Sequence, residues 1–266
     1  MRESEVFRLP SRIDISARTA FQSGTGAALR VLLEDSGHDS TKSRTPLIPR
    51  VRFAMISSYL TRQFVVGRHR REILRTLLEL QQETVQRLYS GYLNQGFPLP
   101  PTSDYPGPKA KEGLLYLLVR TLRPDFVVET GVDQGVSSYF ILEALCKNGH
   151  GRLLSIDIGG KTRSGNPVGW LVPGDMRDRW TLILQPSQVA LPQIEEEPDL
   201  FLHDSLHTFH HMMLEFEWAA RRLRQGGILV SDDIGDNEAF RLFIASRHGK
   251  FTPISERVVG VAMKEG

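Results

Sequence analysis

Two short stretches hold most of the residues able to do chemistry. Asp199-Leu-Phe-Leu-His-Asp204-Ser-Leu-His207 and Gly226-Gly-Ile-Leu-Val-Ser-Asp232-Asp233 each run from apolar residues into acids. Apolar runs of this length suit buried parallel strands, and a parallel sheet gathers its strand ends along one edge. Asp204, Asp232 and Asp233 then stand on neighbouring strand ends, about 5 Å apart. Carboxylates so placed repel one another unless a proton or a cation neutralises them. An all-oxygen set suits a hard cation such as Mg2+. His207, three residues beyond Asp204, is aimed at the same space by the turn into the next helix, and its ordinary pKa suits a general base near neutrality. Taken singly, Asp204 serves equally well as a helix cap and Asp232-Asp233 as the opening of a turn. Their coincidence on adjacent strand ends is what favours a site.

A third stretch, Glu129-Thr-Gly131-Val-Asp-Gln-Gly135-Val-Ser137, lies between an apolar run and a helical pattern. Its glycines permit a tight turn and a close approach of ligand to the amides at a helix start. Asp157 ends the next apolar run, Gly151-Arg-Leu-Leu-Ser-Ile-Asp157. An acid at that strand end is placed to accept hydrogen bonds from both hydroxyls of a ribose. Glycine turn and acid together point to a nucleoside-containing cofactor. A third glycine of the dinucleotide fingerprint is missing, with Ser137 near its place.

These residues depend on an α/β alternation that runs from Lys109 onward. Helical patterns over 113–122, 137–147, 188–194, 209–224 and 236–247 alternate with strands at 126–131, 151–157, 180–184, 199–204 and 226–232. A closing antiparallel hairpin is expected over 251–255 and 257–263. Strand, helix and strand in succession form right-handed crossovers that set strands side by side, and open α/β sheets bind ligands at the carboxyl edge. The loop from Gly159 to Pro173 carries no decodable motif. His203 precedes Asp204 and is expected on the opposite face of the sheet; His210 and His211 fall in the following helix and are expected to pack or to face solvent.

The glycine turn, Asp157 and the acid-ended strands resemble the class I S-adenosylmethionine-dependent methyltransferases. Asp204-Ser-Leu-His207 with Asp232-Asp233 is similar, more narrowly, to metal-dependent sugar and natural-product O-methyltransferases and their cephalosporin-hydroxylase-like relatives. The resemblance covers about residues 107–264 and implies a Rossmann-like, mostly parallel sheet closed by an antiparallel hairpin. It implies that Glu129, Gly131, Gly135 and Ser137 cradle the methionine part of S-adenosylmethionine, that Asp157 holds its ribose, and that Asp204 borders it. It also implies Mg2+ or another divalent cation on Asp204, Asp232 and Asp233, His207 as base, and a small-molecule hydroxyl as methyl acceptor. One departure stands out. Where the family has an acid after the third strand, this chain reads Gln185-Pro186-Ser187, leaving Ser187 as the substitute contact for adenine.

Two other classes of function compete. One is metal-dependent hydroxylation or hydrolysis at the same site, which retention of S-adenosylmethionine and transfer of its methyl group would separate. The other is a non-catalytic adapter, against which the intact Asp204, His207, Asp232 and Asp233 set argues.

The 266 residues, with 40% hydrophobic and 24% charged, suffice for one α/β domain with an appendage. Residues 1–49 read as a poorly ordered segment, 50–106 as a helical extension or lid, and 107–266 as the methyltransferase-like domain. In 50–106, Ile73, Leu77, Leu80, Thr84, Leu88 and Tyr92 recur at helical spacing, a stripe that must pack against the core or a second subunit. A homo-oligomer is the corresponding expectation. Lys42 to Arg75 holds nine Lys or Arg against one acid, Glu72. That suits a solvated helix face or peripheral contact with an anionic membrane surface. Nothing beside the charge resembles a base-reading module, so no nucleic-acid partner is expected. The single cysteine, Cys146, excludes an internal disulfide and reads as a core thiol. No apolar run has the length of a membrane span and no signal peptide is visible, which makes cytoplasmic the expected location.

Overall fold

The apolar runs between 126 and 264 all become strands of one sheet. The computed structural model describes residues 110–265 except 163, 164, 248, 257 and 258, together with residues 76, 79–84, 87, 88 and 90. The expectations for 1–49, for the basic stretch 42–75 and for the loop 95–108 lie outside the described residues.

In chain order the elements are α1 (Ala110–Leu122), β1 (Phe126–Thr130), α2 (Val136–Asn148), β2 (Arg152–Asp157), β3 (Trp180–Leu184), α3 (Ser187–Ala190), β4 (Leu200–His203), α4 (Phe209–Arg222), β5 (Ile228–Ser231), α5 (Ala239–Ser246), β6 (Phe251–Glu256) and β7 (Gly260–Lys264). The seven strands lie in the order β3-β2-β1-β4-β5-β7-β6. β1 to β5 are mutually parallel and β7 runs antiparallel to both of its neighbours. The reversal of order beside β1 makes a switch point, where an open α/β sheet leaves a crevice at its carboxyl edge. The helix expected from Gly113 starts three residues earlier, at Ala110, and that extra turn matters for the site.

Alternation along each strand assigns the two faces. Val128 of β1, Phe201 of β4 and Leu229 of β5 pack with Met212, Phe216 and Ala219 of α4 and with Phe240 and Phe243 of α5. Glu129, one residue along from Val128, faces instead the hydroxyls of Ser137 and Ser138 on α2. Outside the α1–α2 layer, Leu80, Thr84 and Leu88 of the expected stripe are buried. Thr84 accepts a bond from the Tyr139 hydroxyl through its carbonyl at 3.0 Å, and Arg87 pairs with Glu143 at 2.9 Å. Cys146 is half-buried rather than fully in the core. Among the described residues no helix is long and apolar enough to cross a membrane.

Candidate active site at the carboxyl edge

Register alone brings four predicted residues into one row. Thr130 lies opposite Ile156 on one side and His203 on the other, and His203 lies opposite Ser231. The next residues along these strands are Gly131, Asp157, Asp204 and Asp232. Backbone bonds extend the ladder to them, with Gly131 N–H donating to Ile156 at 2.9 Å, Asp204 N–H to Thr130 at 2.9 Å and Asp232 N–H to His203 at 3.0 Å. Gly131 has φ +81°, and a Cβ there would come within 2.0 Å of the Asp204 carbonyl oxygen. Its missing side chain is thus what lets β4 deliver Asp204 beside the turn.

Asp204 and Asp232 point to the same face, as residues two past Leu202 and Val230 must. The cation between them is a residue absent from the sequence reading. Lys111, in the first turn of α1, sets its Nζ 2.5 Å from Oδ2 of Asp204 and 2.6 Å from Oδ2 of Asp232. Burial works against the ammonium, but the charges of Asp204, Glu112 and Asp232 outweigh it and hold Lys111 above the ordinary lysine value. Burial and the like charge of Asp232 push Asp204 well up, against the pull of Lys111. For Asp232 burial is also opposed by Lys111, which here prevails and keeps the carboxyl below its ordinary value. Lys111 was legible only as a lysine on the inward stripe of a helix, in step with Leu114, Leu115 and Leu118.

Asp233 does not join this pair, which corrects the three-carboxylate cation site. It lies beyond the end of β5, with its backbone in the left-handed region at φ +46°. There it stands 3.6 Å from Nδ1 of His207. His207, Asp233 and Asp236 bring ligand-type atoms within 4.8 Å of one another, with both acids exposed. His207 Nε2 lies 4.0 Å from Oδ1 of Asp204 and is a buried nitrogen with no hydrogen-bond partner. Burial first, then the neighbouring His203, lowers its pKa; Asp233, Asp232 and Asp236 pull the other way without prevailing.

At the other end of the row Asp157 anchors the glycine turn. Its Oδ2 accepts from the amides of Val132 at 2.9 Å and Asp133 at 3.1 Å, and its Oδ1 from Gly159 at 2.9 Å. Ile158 and Leu184, on the adjoining ends of β2 and β3, are 76% and 49% exposed, an apolar surface beside the carboxylate. Glu129 is enclosed instead. Ser137, Ser138 and Ser155 donate to it at 2.5, 2.6 and 2.7 Å, and burial raises its pKa against those bonds. Glu129 and Ser137 therefore hold each other at the start of α2, in place of the direct ligand contacts expected of both. Ser187 is corrected too. It is buried, and its hydroxyl faces Nε2 of His211 at 3.2 Å rather than the open edge.

Beneath the edge, on the α4 face, lies a polar hub that the sequence reading missed. Glu215 is wholly buried and bonded to Thr130 Oγ1 (2.6 Å), His203 Nδ1 (2.6 Å), His211 Nε2 (2.9 Å) and Ser205 Oγ (2.9 Å). His203 takes the opposite face as expected, and His211 packs into this hub. The His203 and His207 rings meet edge-on at 5.3 Å. The loop 159–173 is fastened to the glycine turn, with Gly169 N–H donating to Asp133 at 2.8 Å and Leu171 N–H to Gln134 at 3.1 Å. A cavity of about 300 Å3 bordered by Glu217, Arg247 and Lys264 lies at the opposite, amino edge and contains none of these residues.

Strand order 3-2-1-4-5-7-6 with an antiparallel β7 and a glycine turn after β1 defines the class I methyltransferase fold. Residues 128–234 match a family model described as a methyltransferase domain. The O-methyltransferase TomG from Streptomyces achromogenes, involved in tomaymycin synthesis and solved with SAM, is similar at TM-score 0.52 and 17% identity, over 83% of this chain and 100% of TomG. The SAH-bound Podospora anserina methyltransferase PaMTH1 is similar at TM-score 0.53 and 13% identity, over 85% of this chain and 100% of that one. No curated protein sequence matches the chain.

Proposed function

We propose that the chain is an S-adenosylmethionine-dependent O-methyltransferase acting on a hydroxyl of a small molecule, a sugar or another natural product. The observation that carries the reading is the row of Gly131, Asp157, Asp204 and Asp232 along one sheet edge, with the unpartnered Nε2 of His207 4.0 Å from Asp204. The cofactor fits this edge. Asp157 would take the ribose hydroxyls, Ile158 and Leu184 would flank adenine, and the turn from Gly131 to Gly135 would lie beside the methionine part. Glu129 would act at one remove, by fixing Ser137 and Ser138. S-adenosylmethionine, when bound, supplies an electrophilic methyl group on a sulfonium.

The chain's own task is to present a hydroxyl oxygen in line and remove its proton. Alignment of that kind is worth about 7 kcal/mol or more. His207 Nε2 is the proton acceptor, because it is buried, unpartnered and held neutral by its lowered pKa. Asp233, facing Nδ1, favours the tautomer that leaves Nε2 free. The Mg2+ expectation does not fit this arrangement, since an ammonium stands between two of the carboxylates and the third faces His207. The likeness of fold to TomG, a protein of tomaymycin synthesis, supports a natural-product acceptor.

The test is incubation of the purified chain with methyl-labelled S-adenosylmethionine and a panel of hydroxylated acceptors, including sugars and phenols. Label appearing in a methyl ether, matched by S-adenosylhomocysteine, is the expected result. Oxidised or hydrolysed acceptor with no label transferred would replace this reading by the hydroxylase or hydrolase alternative.

A further inference from the structure

We propose that Lys111 is the resident cation of the acidic edge, so that Asp204 and Asp232 bind no divalent metal while that lysine is in place. The inference concerns the cation alone and stands whether or not the chain transfers methyl groups. Three independent features lead to it.

The first is position. The ammonium nitrogen is 2.5 Å from one carboxylate oxygen and 2.6 Å from the other. Those two oxygens are the ones a metal ion would have to share, and Mg2+ demands oxygens at about 2.0–2.1 Å in an octahedron. Ion and ammonium cannot occupy that point together.

The second is burial. The Lys111 side chain is 8% exposed, and those of Asp204 and Asp232 are 18% and 13% exposed. Expelling the ammonium to admit a metal would strip a largely buried charge of both close partners, a far larger penalty than breaking a surface ion pair. Lys111 also sits in the first turn of α1, where the helix dipole disfavours a cation. Only the acids explain a lysine there.

The third is the ligand count. Asp233 faces His207 instead, 3.6 Å from its Nδ1, and the further acid beside the ammonium, Glu112, is 3.8 Å from it, beyond hydrogen-bond reach.

Manganese binding by the full chain tests this, read from loss of the free Mn2+ electron paramagnetic resonance signal and from the thermal shift that Mn2+ produces. The unmodified chain is expected to show no submillimolar Mn2+ binding, and no metal-dependent shift, that Asp204→Asn or Asp232→Asn removes. Lys111→Met should gain Mn2+ affinity by tenfold or more, and the added change Asp204→Asn should remove the gain. If Lys111→Met is unfolded without metal, its recovery of a cooperative transition on adding Mn2+ gives the same support. Micromolar Mn2+ binding by the unmodified chain that Asp204→Asn or Asp232→Asn abolishes would overturn the proposal. So would a folded Lys111→Met that binds no more Mn2+ than the unmodified chain.

Discussion

Replacing Glu215 by alanine tests the account of what holds the site's floor in place. The carboxylate is fully buried and serves Thr130 of β1, His203 of β4, Ser205 of the following turn and His211 of α4. Removing it leaves four polar groups without their shared acceptor, next to a His203 Nε2 that already has no partner. Breaking a buried pair by deleting one partner costs about 3–5 kcal/mol. At roughly 2–4 °C per kcal/mol for a domain of this size, Tm should fall by about 6–20 °C. Glu215→Gln keeps one acceptor oxygen and should lose about 1–2 kcal/mol. The pH dependence carries the same signature. His211 is raised, first by its bond to Glu215, so its contribution is full below the ordinary value of 6.5 and is lost as pH rises through the raised value. Glu215 is held well below its ordinary 4.5 by His203 and His211, against burial, so its contribution is full above 4.5 and is lost as pH falls through the lowered value. Both count fully between those limits, and in Glu215→Ala the loss of stability above 6.5 should flatten. Calorimetric unfolding across pH 4–8 measures this. A Tm within about 2 °C of the unmodified protein would refute the reasoning.

Four further predictions concern the edge above and the loop fastened to its glycine turn. His207→Ala should retain S-adenosylmethionine affinity by calorimetry but lose about 10²–10⁴-fold in kcat, the usual worth of a general base. Asp233→Asn removes a charge that favours the imidazolium, so the acid limb of the kcat/KM profile should move to lower pH. Asp157→Ala should weaken S-adenosylmethionine at least tenfold, at about 1.5–3 kcal/mol per bond to a charged acceptor. It should also lower Tm, because three turn amides lose their acceptor. Gly169→Ala should destabilise the loop on the glycine turn. A Cβ there would meet the Trp180 ring at 2.2 Å from a backbone at φ +70°, and an unchanged Tm would show that the loop is not fastened as described.

The sheet was legible because each buried strand is a short apolar run ending in a turn former or an acid, and β3 falls on 180–184 as read. The row of Asp157, Asp204 and Asp232 was legible for the same reason, since an acid ending an apolar strand marks the edge. What escaped were features that need the third dimension. Asp232 and Asp233 read as one acid pair in the sequence, whereas the left-handed backbone after β5 carries Asp233 to His207. Lys111 stands outside the apolar pattern that begins at Gly113, although the helix starts at Ala110. Glu215 is a polar residue on a helix whose periodicity is carried by its apolar residues. Even so, His203, His207 and His211 recur every four residues, and His211 and Glu215 share one helix face. Glu129 stood where the family's ligand acid stands, and only the three serines around it reveal that it is enclosed.

The central claim is that this sheet edge binds S-adenosylmethionine without help from a metal. Isothermal titration of the full chain with S-adenosylmethionine in the presence of EDTA tests it most directly. The account predicts one site per chain, with affinity unchanged by EDTA and reduced at least tenfold by Asp157→Ala. No binding at millimolar S-adenosylmethionine, or binding that appears only when Mg2+ is restored, would contradict it.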